Sequence, residues 1–429
     1  MAKEKAAEVN VMGSSQEDTV EKIKKLQAFM DAANDHYGKN TMVFGGELRD
    51  TEFYSTGVPS LDLILGGGWA KGRIGSVYGE FSCGKTTTAL QTIAYNMSIN
   101  PYFTACYVDQ EAALDKKYCE SLGIDMNRFV VIPANEAEVS LDVLRNAVRA
   151  GLFNFVVLDS TNSLAPQQEL SKDVSANAGI GIVAKLLSVW VRQILGPLNH
   201  TDTHLLCVEQ TRDKVGAMVM PGMPQPVTIG SGKAVGFYCS QRLELKKLKR
   251  VEEGDVAIGT GVRATCVKNK VAQPFMKTET NIRFGHGFDV EMDKQNFITS
   301  QILDLRAEKD EALCVSKSKG AIVRFNNVKY FYTTNAGELL TIKSNELWKV
   351  LEPYMDEVYE NSKKLAFAVA EGKDVADSAY GLSADELSGE SHGSIATEDD
   401  VNQAADTDAL ASAALGIAEP KGNTIGDNM

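Results

Sequence analysis

The 429-residue sequence predicts an α/β fold, a mostly parallel sheet with helices on both faces. Three observations predict it. The pattern G-x-x-x-x-G-K-[ST] occurs as Gly79-Glu80-Phe81-Ser82-Cys83-Gly84-Lys85-Thr86, between an apolar strand end (75–78) and a helix-spaced stretch (87–94). From 55 to 284, strand-like and helix-like segments alternate. Strands read at 103–108, 153–158 and 204–208 end on Asp109-Gln110-Glu111, Asp159-Ser160 and Glu209-Gln210. The carboxyl edge of an open parallel sheet is where ligands bind.

Length and composition set the frame. A chain of this size is expected to hold one large domain with smaller attachments, and 44% hydrophobic residues support a globular protein. Without an apolar run of about 18 residues or an apolar N-terminal stretch, the expectation is a cytoplasmic protein with no membrane partner. Seven cysteines without a C-x-x-C pair read as reduced thiols, and five dispersed histidines suggest no metal cluster. Net charge is −13, but residues 371–429 hold 13 acidic side chains against two lysines, leaving −2 for residues 1–370. A nearly neutral body with an acidic tail can still present a basic groove to nucleic acid. The expected domains are 1–54 (helix and linker), 55–284 (core), 285–370 (small α+β) and 371–429 (acidic, disordered).

Taken in order, 20–37 carries Ile23, Leu26, Phe29, Met30 and Ala33 at helical spacing, an amphipathic helix that packs either on its own body or on a neighbouring subunit. Gly79 and Gly84 allow the next loop to turn its N–H groups inward, toward a triphosphate at the positive end of a helix. Lys85 is placed to reach β- and γ-phosphates and the Thr86 hydroxyl to sit on Mg²⁺, so Gly79, Glu80, Phe81, Ser82, Cys83, Gly84, Lys85, Thr86 and Thr87 are the nucleotide-binding candidates. Asp159 fits the acid that steadies Mg²⁺ through a water, with a helix cap as the alternative. Glu111 is the candidate general base, against a solvated surface Glu. The Gln210 amide can donate to a γ-phosphate while its backbone leads into the next loop.

Two long polar loops follow the strand ends, 166–181 (including Ile180) and 212–232. The second holds glycines 216, 222, 230 and 232, prolines 221, 224 and 226, and methionines 218, 220 and 223. Loops this long are functional or disordered. Met218 and Val219, flanked by Arg212, Lys214 and Lys233, suit wedging between bases while the cations hold phosphates; a flexible surface insertion is the alternative. Between the loops, the helix 182–195 is expected to align Ile182, Leu186, Val189, Trp190 and Gln193 on one side, with Trp190 in the core and Lys185 and Arg192 sharing a face. The strand 262–267 runs into Lys268-Asn269-Lys270, whose alternate lysines point the same way and could meet one anion. Beyond 285, helical patches at 297–307 and 344–359 and a strand pair at 321–325 and 329–332 suggest a small α+β domain.

Together these pieces resemble the bacterial RecA recombinases, with a phage-encoded relative as the reading. The resemblance rests on Ser55-Thr56-Gly57 with Ser60-Leu61-Asp62 and Leu65-Gly66-Gly67-Gly68, the loop at 79–86, and Tyr107-Val108-Asp109-Gln110-Glu111-Ala112-Ala113-Leu114-Asp115 with Tyr118. Leu158-Asp159-Ser160, Glu209-Gln210-Thr211-Arg212 and Val267-Lys268-Asn269-Lys270-Val271-Ala272-Gln273-Pro274-Phe275 complete it, over roughly 20–360.

The resemblance implies a RecA-like P-loop ATPase core with ATP and Mg²⁺ as cofactors. Glu111 matches the catalytic glutamate, Gln210 the γ-phosphate sensor, and Asp115 and Tyr118 the residues at base and ribose. Lys268 and Lys270 match lysines that reach a neighbour's ATP. The two loops match DNA-binding loops, whose candidates are Ile180, Lys185, Arg192, Arg212, Lys214, Met218, Val219, Gly230 and Gly232. The implied partners are single- and double-stranded DNA, further copies in a helical filament, and a loader or single-strand-binding protein, in a bacterial host cytoplasm. Met218-Val219, Gly230-Ser231-Gly232 and Gly236 depart from the family pattern and bear on loop geometry. The implied function is ATP-dependent homologous pairing and strand exchange. An ATP-gated scaffold or regulator without exchange, or a replicative helicase on the same core, are the alternatives.

Overall fold

Central strands buried at nearly every position, with helices on both faces, build the large unit around one sheet. The computed structural model describes residues 16–38, 41–171, 181–213, 227–229, 234–307 and 309–370. It divides into two compact units, the first ending at Thr299 and the second beginning at Ser300.

The large unit runs α1 (Gln16–Tyr37), β1 (Phe53–Tyr54), α2 (Pro59–Leu65), β2 (Trp69–Ala70), β3 (Ile74–Gly79), α3 (Lys85–Ile99), β4 (Ala105–Asp109) and α4 (Lys116–Ser121). It continues with β5 (Phe129–Pro133), α5 (Ala137–Arg149), β6 (Phe155–Asp159), α6 (Gln167–Leu170), α7 (Ile182–Thr201), β7 (His204–Asp213), β8 (Val227–Ile229) and α8 (Ala234–Tyr238). The last elements are β9 (Gln241–Glu253), β10 (Val256–Asn269), β11 (Lys277–Arg283), β12 (Gly287–Phe288) and α9 (Val290–Ser300).

The main sheet has the order β12-β11-β10-β9-β3-β7-β6-β4-β5, with β8 on β7. From β9 to β5 neighbours are parallel; β10, β11, β12 and β8 join antiparallel, so the sheet is mixed. Period-two alternation sends Ala105 and Tyr107 of β4 to one face, where they meet Leu61, Leu65, Leu90 and Ile93 of α2 and α3. Cys106 and Val108 go to the other, against Leu141 and Leu144 of α5 and Leu187, Trp190 and Ile194 of α7.

Sequence spacing misplaced the face of α7. Its buried residues are Leu187, Trp190, Val191, Ile194 and Leu198, while Val189 is exposed and Ile182, Leu186 and Gln193 are not buried. Apolar side chains cover most of this helix, so spacing did not fix its rotation; packing on α5 did, with the Trp190 indole donating to the Leu141 carbonyl at 2.8 Å. Residues 285–299 pack with the large unit. β12 pairs with β11, and Asp293 of α9 accepts from the Ser60 backbone N–H at 2.9 Å and its hydroxyl at 2.6 Å. All seven cysteines are free and buried.

The second unit holds a four-stranded sheet, β13 (Leu303–Asp304), β14 (Val323–Phe325), β15 (Lys329–Thr333) and β16 (Leu339–Lys343), in that order. Its helices are α10 (Glu311–Ser316), α11 (Leu347–Leu351) and α12 (Met355–Ala370). The expected helix at 297–307 is corrected: α9 stops at Ser300, and Leu303 and Asp304 pair parallel with β14. The expected strand pair is part of a larger sheet, and the helical stretch at 344–359 is broken into short pieces around Pro353, which lies in the 3₁₀ turn Glu352–Tyr354. Among the described residues no helix is long and apolar enough to cross a membrane.

Candidate nucleotide site

The site begins with two glycines that admit no side chain. A Cβ on Gly79 would lie 2.2 Å from the Leu245 carbonyl oxygen. One on Gly84 would lie 2.2 Å from the Ile282 Cδ1, and its φ of +94° is left-handed. Gly84 caps α3, so the loop delivers Lys85, Thr86 and Thr87 at the start of a 15-residue helix. The Lys85 ammonium lies back over the loop, donating to the carbonyls of Gly79 (3.1 Å) and Glu80 (2.7 Å).

Phe81, Ser82, Cys83, Gly84, Lys85, Thr86, Thr87, Glu111, Asp159 and Gln210 line one cleft of about 210 Å³. Parallel register brings them together: Asp109 of β4 stands opposite Asp159 of β6, and Gly79 of β3 opposite Gln210 of β7. Glu111 accepts a short hydrogen bond from the Gln210 amide and a longer one, 3.5 Å, from the Ser163 hydroxyl. The Thr86 hydroxyl donates to Asp159 Oδ2 at 2.8 Å, and the Tyr107 phenol donates to the same oxygen. Burial raises the Asp159 carboxyl above the ordinary carboxylate range, an effect that these donors oppose. A hydroxyl beside a carboxylate at the end of a glycine loop is the donor set that suits Mg²⁺ on a phosphate substrate. Among the described residues no group of three or more His, Cys, Asp or Glu forms a separate metal site.

Sequence reasoning missed Asn162 and Tyr107 as parts of this site. The Asn162 side chain donates to the Gln210 carbonyl and accepts from the Gln210 N–H, each at 3.2 Å, which fixes that residue's backbone. Nothing local marks either residue; both depend on which strands become neighbours. Asp109 is also structural, its carboxylate accepting from the Ala113 and Leu114 N–H groups to shape the turn that carries Glu111.

The other predicted residues lie outside the cleft lining. Asp115 caps α4, accepting from the Tyr118 N–H at 2.7 Å, and the Tyr118 hydroxyl lies 3.1 Å from that of Thr87. Lys268 donates to the carbonyls of Gly236 and Phe237, both at 2.9 Å, and Lys270 is exposed. Lys185 and Arg192 are exposed on α7, and Arg212 lies within β7, paired with Thr228. Ile180, Lys214, Met218, Val219, Gly230 and Gly232 lie outside the described residues. A larger cleft, about 620 Å³, opens beside β11 and β12 around Phe284, His286 and Phe288, and none of the predicted residues lines it.

The family model for the RecA N-terminal domain matches residues 24–289. Protein RecA of Clostridium novyi is 32% identical over 336 residues, covering 76% of this chain and 91% of its own. Protein RecA of Sulfurovum sp. is 37% identical over 273 residues, covering 62% and 76%. Among solved structures, the chain in the crystal structure of the RadB recombinase matches with a TM-score of 0.41 and 22% identity, over 55% of this chain and 98% of that one. On the extent of the family match and the identity to full-length relatives, the chain belongs to the RecA family.

Proposed function

We infer that this chain is an ATP-dependent DNA recombinase, a DNA-dependent P-loop ATPase that forms a filament on single-stranded DNA, pairs it with homologous duplex and exchanges strands. Family membership supplies the coarse reading. One observation carries the finer one: the hydrogen bond between Gln210 and Glu111 in the cleft. Glu111 would orient and deprotonate the attacking water. Gln210 sits on β7, which runs on to Asp213 at the mouth of the second long loop. An amide shared between Glu111 and a γ-phosphate therefore ties the state of the nucleotide to the segment assigned to DNA.

Around that pair the remaining roles are those that the family resemblance suggests. Lys85 would exchange its two loop carbonyls for the β- and γ-phosphates of ATP. Thr86 and Asp159 are the side chains that would hold Mg²⁺, which when bound neutralises charge on those phosphates. Tyr118, beside Thr87, and Asp115 would meet the base and ribose. Lys268 and Lys270 would meet the γ-phosphate of an adjacent copy in the filament. That interface would also cover the apolar residues of α1, where Val20, Ile23, Leu26 and Phe29 are exposed. Lys185, Arg192 and Arg212 are assigned to DNA phosphates. A loader or single-strand-binding protein, and a phage gene acting in bacterial cytoplasm, complete the reading.

The test is strand exchange by the full chain and by K85A, with ATP and with a non-hydrolysable analogue. K85A is expected to lose nucleotide-dependent DNA binding and exchange together. Unaltered exchange by K85A would overturn the mechanism.

A further inference from the structure

We propose that Tyr107 is a positioning residue for the metal-holding acid of the cleft. Its phenol fixes the rotation of the Asp159 carboxylate so that one oxygen stays bound to protein and the other stays turned toward the cation or a water on it. This rests on the reading of Asp159 as the acid that holds Mg²⁺.

The two oxygens of Asp159 are used differently. Oδ2 accepts from both the Thr86 hydroxyl and the Tyr107 phenol. Oδ1 has no hydrogen-bond donor among the described residues, and Asp159 lines the cleft. One donor on one oxygen leaves a carboxylate freer to turn about its Cβ–Cγ bond; a second donor, from another element, resists that turn. Thr86 alone is a poor anchor, because the same hydroxyl is expected on the cation. It has one hydrogen to give and lone pairs for the metal. Tyr107 supplies an anchor that the cation does not share.

The sheet explains how the phenol arrives there. Tyr107 on β4 stands opposite Val157 on β6, two residues before Asp159 and on the same face. Diagonal neighbours across adjacent strands are within reach of an aromatic side chain. The ring is 1% exposed and packs edge-on to Phe129 with centroids 6.1 Å apart. Enclosed on the α3 side of the sheet, it cannot swing to water, so the hydroxyl is a fixed donor. Tyr107 is absent from the cleft lining and would touch neither nucleotide nor metal. A buried phenol that merely satisfies itself is the competing account. The two accounts differ in what happens when Mg²⁺ is varied.

The affinity of the full chain for a fluorescent ATP analogue is measured in EDTA and across a Mg²⁺ series, for the parent, Y107F, Y107L and D159N. Y107F is expected to keep its affinity in EDTA within about twofold and to need on the order of tenfold more Mg²⁺ for the metal-dependent increase, the usual scale for partners of metal ligands. Y107L removes the hydroxyl with a different shape and is expected to shift the Mg²⁺ midpoint alike. An unshifted midpoint in Y107F beside a shifted one in D159N overturns the role of Tyr107 alone. An unshifted midpoint in D159N removes Asp159 from the metal and takes the proposal with it. Loss of affinity in EDTA by both Tyr107 variants, without a change in Mg²⁺ midpoint, makes the hydroxyl a packing feature and also overturns the proposal.

Discussion

The nucleotide cleft and the ledge formed by α8 with the end of β10 use their polar side chains in opposite ways. In the cleft, side chains from different elements bind one another: Gln210 to Glu111, Thr86 and Tyr107 to Asp159. On the ledge, Lys268 is satisfied by backbone carbonyls of α8, Phe237 is 70% exposed, and neither Lys268 nor Lys270 has an acidic partner among the described residues. Burial first, and the Lys270 charge next, hold the Lys268 ammonium below the ordinary lysine range. The acids of the cleft thus meet side-chain donors of their own chain, while the lysines of the ledge meet no acid among the described residues. A cationic ledge of this kind gains by meeting an anion that its own chain does not bring to it, which is how two regions of one polypeptide can serve a single reaction in an assembly.

The largest expected effect separates the regions directly. Replacing both ledge lysines, K268A with K270A, is expected to lower DNA-stimulated ATP hydrolysis by roughly 10³-fold or more, the scale of a cation supplied in trans, with nucleotide affinity of dilute protein changed by about twofold. Mixing this double variant with E111Q should restore part of the activity, because some junctions then carry an intact cleft opposite an intact ledge. No recovery on mixing would break the comparison.

Within the cleft, E111Q is expected to slow hydrolysis by about 10²-fold or more, the range for removing a positioned general base, while retaining ATP-dependent DNA binding. Equal loss of both in a DNA-binding titration would mean that Glu111 holds the site together rather than serving the water.

A smaller effect concerns β7, the strand that carries Gln210 into the cleft. His204 opens β7, is fully buried, stacks on Phe155 at 5.1 Å, and has its Nδ1 2.7 Å from the Ala70 carbonyl oxygen. Burial lowers its pKa to about 4 from 6.5. Between those values the unfolded chain binds a proton that the folded chain refuses. Stability from this group is therefore full above about pH 6.5 and falls as pH drops toward 4, by about 3 kcal/mol in all. Urea unfolding across that range should show the slope, and H204F should flatten it. One shared transition for nucleotide binding and global fluorescence would mean that cleft and ledge fail together; two would mean separate scaffolds.

The smallest expected effect lies at the margin of the cleft. D115A removes the cap of α4, with an expected cost of about 1 kcal/mol in urea unfolding, recovered by D115S. If nucleotide affinity follows stability back in D115S, the residue belongs to the scaffold; if affinity stays low, Asp115 touches the ligand.

The cleft was legible in the sequence because its residues carry local cues. Lys85 and Thr86 sit in a spaced loop motif, and Glu111, Asp159 and Gln210 follow apolar strands. Tyr107 and Asn162 carried no such cue, since their partners lie 52 and 48 residues away and are set by strand register. β9 has no clear signature in sequence, because Lys246, Lys247, Lys249 and Arg250 interrupt the apolar alternation, yet the strand runs to Glu253 beside β10. Leu303 and Asp304 are too few to show a period and become a strand only by lying alongside Val323 and Arg324.

That every cysteine is enclosed in the folded chain has a practical consequence. A thiol-reactive dye added under native conditions meets no natural target on the surface, so a single engineered surface cysteine can be labelled without first stripping out the seven originals. Donor and acceptor dyes on separate preparations would then turn the approach of one copy's ledge to another copy's cleft into an optical distance signal.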